Sequence, residues 1–477
     1  MDGIDARIDA ALRPLADALS SAVFYKVPIF GSELPLVVLW LAAAAVFCTV
    51  YFRFVCLTGF AHALRLVRGS DSSASGEGEL SHFQALATAI SGTVGIGNIG
   101  GVAVAISVGG PGAAFWMLVA GVLGMSSKFA ECTLGVKYRV EHADGSVSGG
   151  PMYYLERGLG ARGWPRLGRG LARFYAIGIV IGCLGIGNMF QSNQAFVQLV
   201  GVTGGEASWF AERGWLVGLA LAGLVGAVIV GGIRSIARVT EKVVPFMAVL
   251  YLASAGVMLV INAEAIPFAL SAIASGAFTT KGAAGGALGA MIVGFQRAVF
   301  SNEAGIGSAT IAHAAVRTDH PATEGYVALL EPFIDTVVIC SATALVVITT
   351  FYYDPNFAEG LDGIAITSAA FERNVSWAPY PLALSATLFA LSTMLSWSYY
   401  GLKGFSYLVG ESERAKRGFM LAFCVFVALG CTIQLDAVLE FSDALVFVIC
   451  IPNIIGLYWL APDVRAELAR YERARRG

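Results

Sequence analysis

Ser91-Gly-Thr-Val-Gly-Ile-Gly-Asn-Ile-Gly-Gly101 sets repeated glycines and one amide side chain inside a segment otherwise apolar enough to lie in a membrane. In hydrocarbon an unpaired backbone N–H or C=O costs several kcal/mol, so irregular backbone survives there only where protein, water or a bound solute satisfies it. The segment reads as a deliberately interrupted helix, and the interruption as a candidate binding site. Its Gly95-Ile-Gly97-Asn-Ile-Gly100 core matches the dinucleotide fingerprint, but the strand, amphipathic helix and distal acid that fingerprint requires are missing. Gly97 and Gly101 also form a GxxxG pair that would let a neighbouring helix approach closely. On this segment alone, close packing and an interrupted helix stand level.

Composition puts the chain in a membrane. Of its 477 residues 57% are hydrophobic and 13% charged, against roughly 25% charged in soluble domains. A net charge of -2 gives no electrostatic case for a nucleic-acid partner. Apolar runs near the roughly 20 residues a span needs fall at Leu34–Leu57, Phe83–Val108, Pro111–Val136, Phe174–Val202, Trp215–Gly232, Val243–Ile261, Gly285–Val316, Ala328–Phe351, Leu382–Tyr400, Phe419–Ile433 and Ala437–Leu460. This predicts an all-α polytopic protein of about eleven transmembrane helices. Arg65, Arg68, Lys137, Arg139, Arg157, Arg234, Arg238, Lys403 and Arg414 all fall in alternate loops, together with the Arg465–Arg476 tail. Glu206, Glu212, Asp354, Glu359 and Asp362 lie in the opposite set. The positive-inside rule then puts the C-terminus in the cytoplasm and the N-terminus outside.

Residues 1–31 precede the first span. Asp2 and Asp5 sit where a cleavable signal would be basic, and Ile4, Ile8, Leu12, Leu15 and Leu19 recur at helical spacing. An amphipathic helix on the outer interface is expected. Gly69–Gly78 reads as a cytoplasmic linker, 32–462 as one transmembrane domain and 463–477 as a basic cytoplasmic tail. The eight cysteines lie in or beside spans without CxxC spacing and read as small hydrophobes. The five histidines show no paired-ligand spacing, so no structural metal is expected.

A second apolar run is interrupted too: Gly294-Phe-Gln-Arg-Ala-Val-Phe-Ser-Asn-Glu-Ala-Gly-Ile-Gly307 crowds Gln296, Arg297, Ser301, Asn302 and Glu303 into one segment. Intramembrane polar groups of this kind face a cavity or a partner. The interrupted runs are the second and seventh, five apart and therefore oppositely oriented. That is the arithmetic of an inverted repeat, about 82–262 and 285–462, whose two breaks meet near the midplane. A small zwitterion suits such a site, its carboxylate at a half-helix N-terminus and its ammonium at carbonyls. Oxygens from Thr93, Asn98, Ser301 and Asn302 would also suit a hard cation such as sodium.

Gly92-Thr-Val-Gly-Ile-Gly-Asn-Ile-Gly-Gly, Gly149-Gly-Pro-Met-Tyr-Tyr, and Phe295-Gln-Arg-Ala-Val-Phe-Ser-Asn-Glu-Ala-Gly-Ile-Gly-Ser-Ala followed by Ile311-Ala-His-Ala resemble the alanine or glycine:cation symporters of the amino acid-polyamine-organocation superfamily. The likeness covers nearly the whole chain, with no departure in the main motifs. It implies the 5+5 inverted-repeat, LeuT-like transporter fold with one extra N-terminal helix and two discontinuous helices. It implies sodium-driven uptake of alanine or glycine across the plasma (inner) membrane, with sodium as coupling ion, no further cofactor and no obligate protein partner. By the same resemblance the amides of Ile96 and Gly97, with Thr93 and Asn98, would hold the substrate, and Phe300, Ser301 and Asn302 would line its pocket. The carbonyls of Ser91 and Val94 and the hydroxyls of Ser392 and Thr393 would take sodium.

Trp397 follows Thr393 by four, so it either stands over the substrate side chain or belongs to an interfacial aromatic belt. Asn188, Gln191 and Gln194 share a helical face, lining the pocket or bonding between helices, with Gln191 the favoured pocket residue. Glu331 and Asp335 could form a proton relay; contact with Arg297 or a loop cation is the plainer reading. Lys128 and Glu131, three apart, are expected to pair locally. An enzyme would need a nucleophile–base or metal set that is not seen. A channel would more often be a short chain repeated around a pore. Proton coupling or another substrate on the same fold is the nearest alternative.

Overall fold

Proline and glycine punctuate the chain into its helices. Pro151, Pro165, Pro321 and Pro379 each open a helix, where a missing N–H costs nothing. Ser81 and Gln84 close a capping box at another start. The computed structural model describes residues 4–29, 32–69, 78–279, 286–351, 359–361, 363–432 and 436–476. Positions 70–77 of the expected linker, Asp2, Asp354, Asp362 and the Ile433 end of one expected span lie outside the described residues.

Helix α1 (Ile4–Val23) and a short β1–β2 pair (Lys26–Ile29 with Ser32–Pro35) lead into α2 (Leu36–Tyr51). After two short helices, Val55–Thr58 and Phe60–Val67, come α3 (His82–Thr93) and α4 (Gly100–Gly109), bent by 64° across their break. They are followed by α5 (Gly112–Lys137), α6 (Pro151–Ala161), α7 (Pro165–Val202), α8 (Gly214–Ile229), α9 (Gly232–Ile261) and α10 (Ile266–Gly276). The same order then recurs. Interrupted α11 (Ala287–Asn302) and α12 (Thr310–His313) precede α13 (Pro321–Phe351), α14 (Ile364–Asn374), α15 (Pro379–Val409), α16 (Glu413–Gly430) and α17 (Asp436–Arg476). Each series places an 11-residue helix, α6 or α14, between its second and third long members.

Helices occupy every apolar run. Among the described residues six are long and apolar enough to cross a membrane alone, or seven counting bent α3–α4 as one span. The helices α10 and α14 lie in connections read as loops; each is too short to register as a span. Within its most apolar window α15 is 78% buried and α9 only 28%, so α15 is the axis and α9 a flank. Along α7 and α13 the ladder slips into π-helical turns at Gly185–Met189 and Phe333–Cys340, a distortion that turns side chains toward sites.

Both ends of the chain are helical. α1 forms as expected and packs along α17, with Phe24 edge-on to Phe447. α17 runs on through the basic C-terminal stretch, burying Val464 and Tyr471. Glu467 there meets Lys137 at 2.9 Å and Asp463 meets Arg162 at 3.1 Å. Carboxylates in the tail, interleaved with its arginines, find basic partners in the connections around α6.

Lys128 and Glu131 do not pair. Lys128 Nζ reaches across to Glu331 Oε1 at 2.7 Å, both side chains fully buried. Glu131 Oε1 instead accepts from the Gly305 amide at 2.8 Å and from Asn453 Nδ2 at 2.7 Å. Helical spacing made a local pair possible, but a buried charge goes to the partner that completes its desolvated shell. Removing one member of such a pair costs about 3–5 kcal/mol, far more than removing both. Lys128→Met should therefore lower the thermal midpoint of the purified protein sharply, and Lys128→Met/Glu331→Gln should recover most of the loss. Fluorescence-detected size-exclusion after heating measures both.

Candidate functional site

Helix α3 ends at Thr93 because Val94 and Gly95 leave helical geometry, and Gly95 adopts extended backbone at φ -137°, ψ -159°. A Cβ on Gly95 would lie 2.9 Å from Thr393 Oγ1 and 3.3 Å from Gln191 Oε1, so no side chain fits. Asn98 then folds back, its Oδ1 accepting the Gly95 N–H at 2.8 Å. The freed carbonyls of Asn98 and Ile99 accept from Thr343 at 2.8 Å and Thr367 at 3.0 Å. The interruption is thus held by side chains from α7, α13, α14 and α15.

The second break is made by backbone handedness. Glu303, Gly305 and Gly307 all have positive φ, a region that costs a non-glycine residue about 1 kcal/mol or more. Asn302 Oδ1 accepts the Ala304 N–H at 2.9 Å, and Glu131 takes that of Gly305. Asn453 Nδ2 donates to the Gly305 carbonyl at 2.8 Å. Tyr154, from the Gly149-Gly-Pro-Met-Tyr-Tyr motif, donates to Asn453 Oδ1. Gly149 itself packs against Ala314, where a Cβ would clash at 2.3 Å. That motif therefore buttresses α12.

The breaks meet at Asp335, which the sequence reading had tied to Arg297 or a loop cation. Asp335 Oδ1 accepts from Asn98 Nδ2 at 2.5 Å, and Oδ2 from Ser301 at 2.8 Å and Thr336 at 2.7 Å. No lysine or arginine among the described residues pairs with it. Helix α13 starts at Pro321, not Ala328, which moves position 335 from the end of a span to its middle. Asn302 Nδ2 joins the same helix at Thr336, 2.9 Å.

Among the expected substrate residues, Ile96 N–H points to Gln191 Oε1 at 3.5 Å, and Gln191 Nε2 donates to Ile186 in the π turn. Gly97 faces Phe300, whose ring would lie 3.4 Å from a Cβ there. Gly101, by contrast, has nothing within 4 Å of such a Cβ, so the pair is not a GxxxG helix contact. Thr93 bonds back only to the Ala89 and Ile90 carbonyls, at 3.4 and 3.3 Å. Asn188 donates to the Phe423 carbonyl at 2.8 Å and is a helix-to-helix bond, while Gln194 bonds Asn193 at 3.2 Å.

Ser91, Val94, Ser392 and Thr393 come together where α3 meets α15. Ser91 Oγ donates to the Ser392 carbonyl at 2.6 Å, and Thr393 Oγ1 lies 3.5 Å from the Val94 carbonyl and 2.9 Å from that of Phe389. Ser392 Oγ donates to the Phe389 carbonyl at 3.0 Å. Ser396, missed in the sequence, bridges Thr88 O at 2.7 Å and Ser91 Oγ at 3.0 Å. Trp397 is 1% exposed and lies over Gly187, which removes the interfacial-belt reading. Its indole N–H is shared between the Gly92 carbonyl at 3.2 Å and Glu303 Oε1 at 3.1 Å, so this ring ties the two interrupted helices together.

Residues 19–477 match the profile of the sodium:alanine symporter family. The chain belongs to that family. Its members include the sodium/alanine symporter AgcS of Methanococcus maripaludis, 39% identical over 93% of this chain and 95% of that protein. The probable sodium/glutamine symporter GlnT of Bacillus subtilis is 32% identical over 92% and 88% of the two chains. In structure this symporter-family chain is similar to MhsT in complex with L-phenylalanine, with a TM-score of 0.56 over 82% of this chain and 92% of that one. At 15% identity that likeness speaks for the fold, a LeuT-like transporter fold, as the sequence implied.

In this member of the family, overpacking at the first break costs about 1–3 kcal/mol, enough to displace Thr393 and Gln191. Gly95→Ala should lower uptake of the transported amino acid at least about tenfold with membrane expression intact. Gly101→Ala, where space is open, should transport as the parent does.

Proposed function

We propose that this chain couples inward sodium movement to uptake of a small neutral amino acid, alanine or glycine, by alternating access across the plasma (inner) membrane. The N-terminus is external and the C-terminus cytoplasmic, as the loop arginines and lysines require. One observation carries the reading: two interrupted helices converge on Asp335, and an all-oxygen set lies where the first of them meets α15. The names of the relatives, a sodium/alanine and a probable sodium/glutamine symporter, support the substrate class and the ion.

The half-helices present complementary ends. The single turn Ile96–Asn98 and the start of α4 aim amide dipoles into the break, suited to the substrate carboxylate. The last carbonyls of α11, around Phe300, Ser301 and Asn302, suit its ammonium. Phe300 opposite Gly97 leaves little room for a side chain, which favours alanine or glycine. Sodium, the co-transported ion, would be held by the Val94 carbonyl with Ser392 and Thr393 oxygens and the Ser91 backbone; oxygen donors fit a hard cation. Asp335, buried and with no lysine or arginine partner among the described residues, adds negative potential when ionised, which offsets the cost of bringing a cation to this depth.

The test is radiolabelled alanine uptake into proteoliposomes of the purified protein under an inward sodium, potassium or proton gradient. Accumulation under sodium alone is expected. Uptake under protons alone would overturn the ion, and no alanine uptake in any condition would overturn the substrate. Thr393→Ala should raise the sodium concentration for half-maximal uptake about tenfold, the loss of roughly 1.4 kcal/mol of ion binding, while glycine and alanine keep their order of preference.

A further inference from the structure

Away from the proposed substrate and sodium positions, a line of buried acids and bases runs inward from the start of α3. Glu324 on α13 lies between two histidines. His82 Nδ1 contacts one of its oxygens, and His313 Nδ1 is 2.5 Å from the other. His313 Nε2 faces Glu331 Oε2 at 3.8 Å, and neither atom has a hydrogen-bond partner among the described residues. Glu331 Oε1 holds Lys128. Four elements are joined: α3 through His82, α5 through Lys128, α12 through His313 and α13 through both glutamates. His82, at 7% exposure, is the member nearest the surface, whereas His313 and Glu324 are at 0%.

We propose that His313 is a proton-binding site served from the cytoplasmic side through His82 and Glu324, and that a proton there holds the inner ends of the two interrupted helices in place. The reading rests on the topology proposed above. A proton enters on His82 Nε2, the Nδ1 proton of His82 passes to Glu324 Oε1, the carboxyl group turns, and its O–H protonates the bare Nδ1 of His313. Only N–H and O–H bonds form and break, and one positive charge is left on the His313 ring. The imidazolium donates from Nδ1 to Glu324 and presents N–H to Glu331 Oε2. Neutral, it keeps its hydrogen on Nε2 and turns the Nδ1 lone pair toward the Glu324 carboxylate oxygen, so the bond to α13 is lost.

The surroundings favour the proton. Glu131 and Cys132 on α5, Glu303 at the second break, Asp335 on α13 and Tyr400 on α15 are the other titratable groups facing this line. Arg139 stands at the end of α12, donating to the Ala314 and Val316 carbonyls at 3.3 and 2.7 Å. Glu131, Glu303, Glu324, Glu331 and Asp335 are all buried against Lys128, the single buried lysine among the described residues. Such an excess of buried carboxyls is neutralised by protons or cations. Opening toward the cytoplasm parts α3 from its neighbours and wets the line, weakening the proton's hold. Acid on that side therefore favours the closed arrangement and slows uptake.

Two readouts test this. Potentiometric titration of the purified protein between about pH 6 and 8 should show wild type binding about one proton more per chain than His313→Gln, histidine being the group whose charge changes there. In right-side-out vesicles at fixed external pH and sodium gradient, lowering internal pH from about 8 to 6 should cut alanine uptake about threefold or more. His313→Gln should be flat, and His82→Gln should shift the midpoint. Equal proton counts, a flat wild-type profile, or a His313→Gln profile that follows the wild type would each overturn the proposal. If His313→Gln does not fold, an unshifted His82→Gln midpoint overturns it. Absence of alanine uptake at every pH would sink the symport reading instead, and the titration would still decide the proton site.

Discussion

A backbone amide or carbonyl left unpaired in hydrocarbon is the cost that the rest of this structure is arranged to avoid. Two helices stop in mid-membrane, and each stop frees several such groups at once. At the first, Asn98, Thr343, Thr367 and Gln191 supply the missing partners; at the second, Asn302, Glu131 and Asn453 do so. Those partners come from helices on every side, so the breaks fix the packing around them. What is not used up, the dipoles of the half-helix ends, suits a solute that is itself a dipole.

Charge follows the same logic. Asp335 draws Asn98 from one break and Ser301 from the other onto a single carboxylate, and so sets the distance between them. Trp397 makes a second tie, from the Gly92 carbonyl to Glu303. The Lys128–Glu331 pair and the Glu324 histidines form a third layer farther along α3 and α12. Each tie crosses between separate elements.

Much of the arrangement could be read from the residues. Glycines and amides in apolar runs located both breaks, and their separation by five runs gave the inverted order of helices that the structure repeats. The bonds of Asn98 and Ser301 to Asp335, and of Asn302 to the neighbouring Thr336, follow from polar groups at membrane depth. Asp335 was legible as a charged residue but not as a junction, because seven extra residues at the start of α13 moved it to mid-helix. Lys128 misled for a related reason: spacing along one helix says which neighbours are possible, while burial decides which is taken. Asn453 stood in plain view in an apolar run after Pro452, yet only tertiary packing reveals that it holds Gly305. The short helices α10 and α14, and the helical course of the basic tail, depend on docking surfaces that no local pattern encodes.

On the proposed function, the two breaks together form one site for an amino acid and sodium. A structure of the purified protein solved with alanine and sodium would decide it. Alanine should lie between the Ile96–Gly97 amides and the Phe300–Asn302 carbonyls, with an ion at the Val94, Ser392 and Thr393 oxygens. Alanine bound outside the two breaks, or an empty α3–α15 contact at saturating sodium, would contradict it.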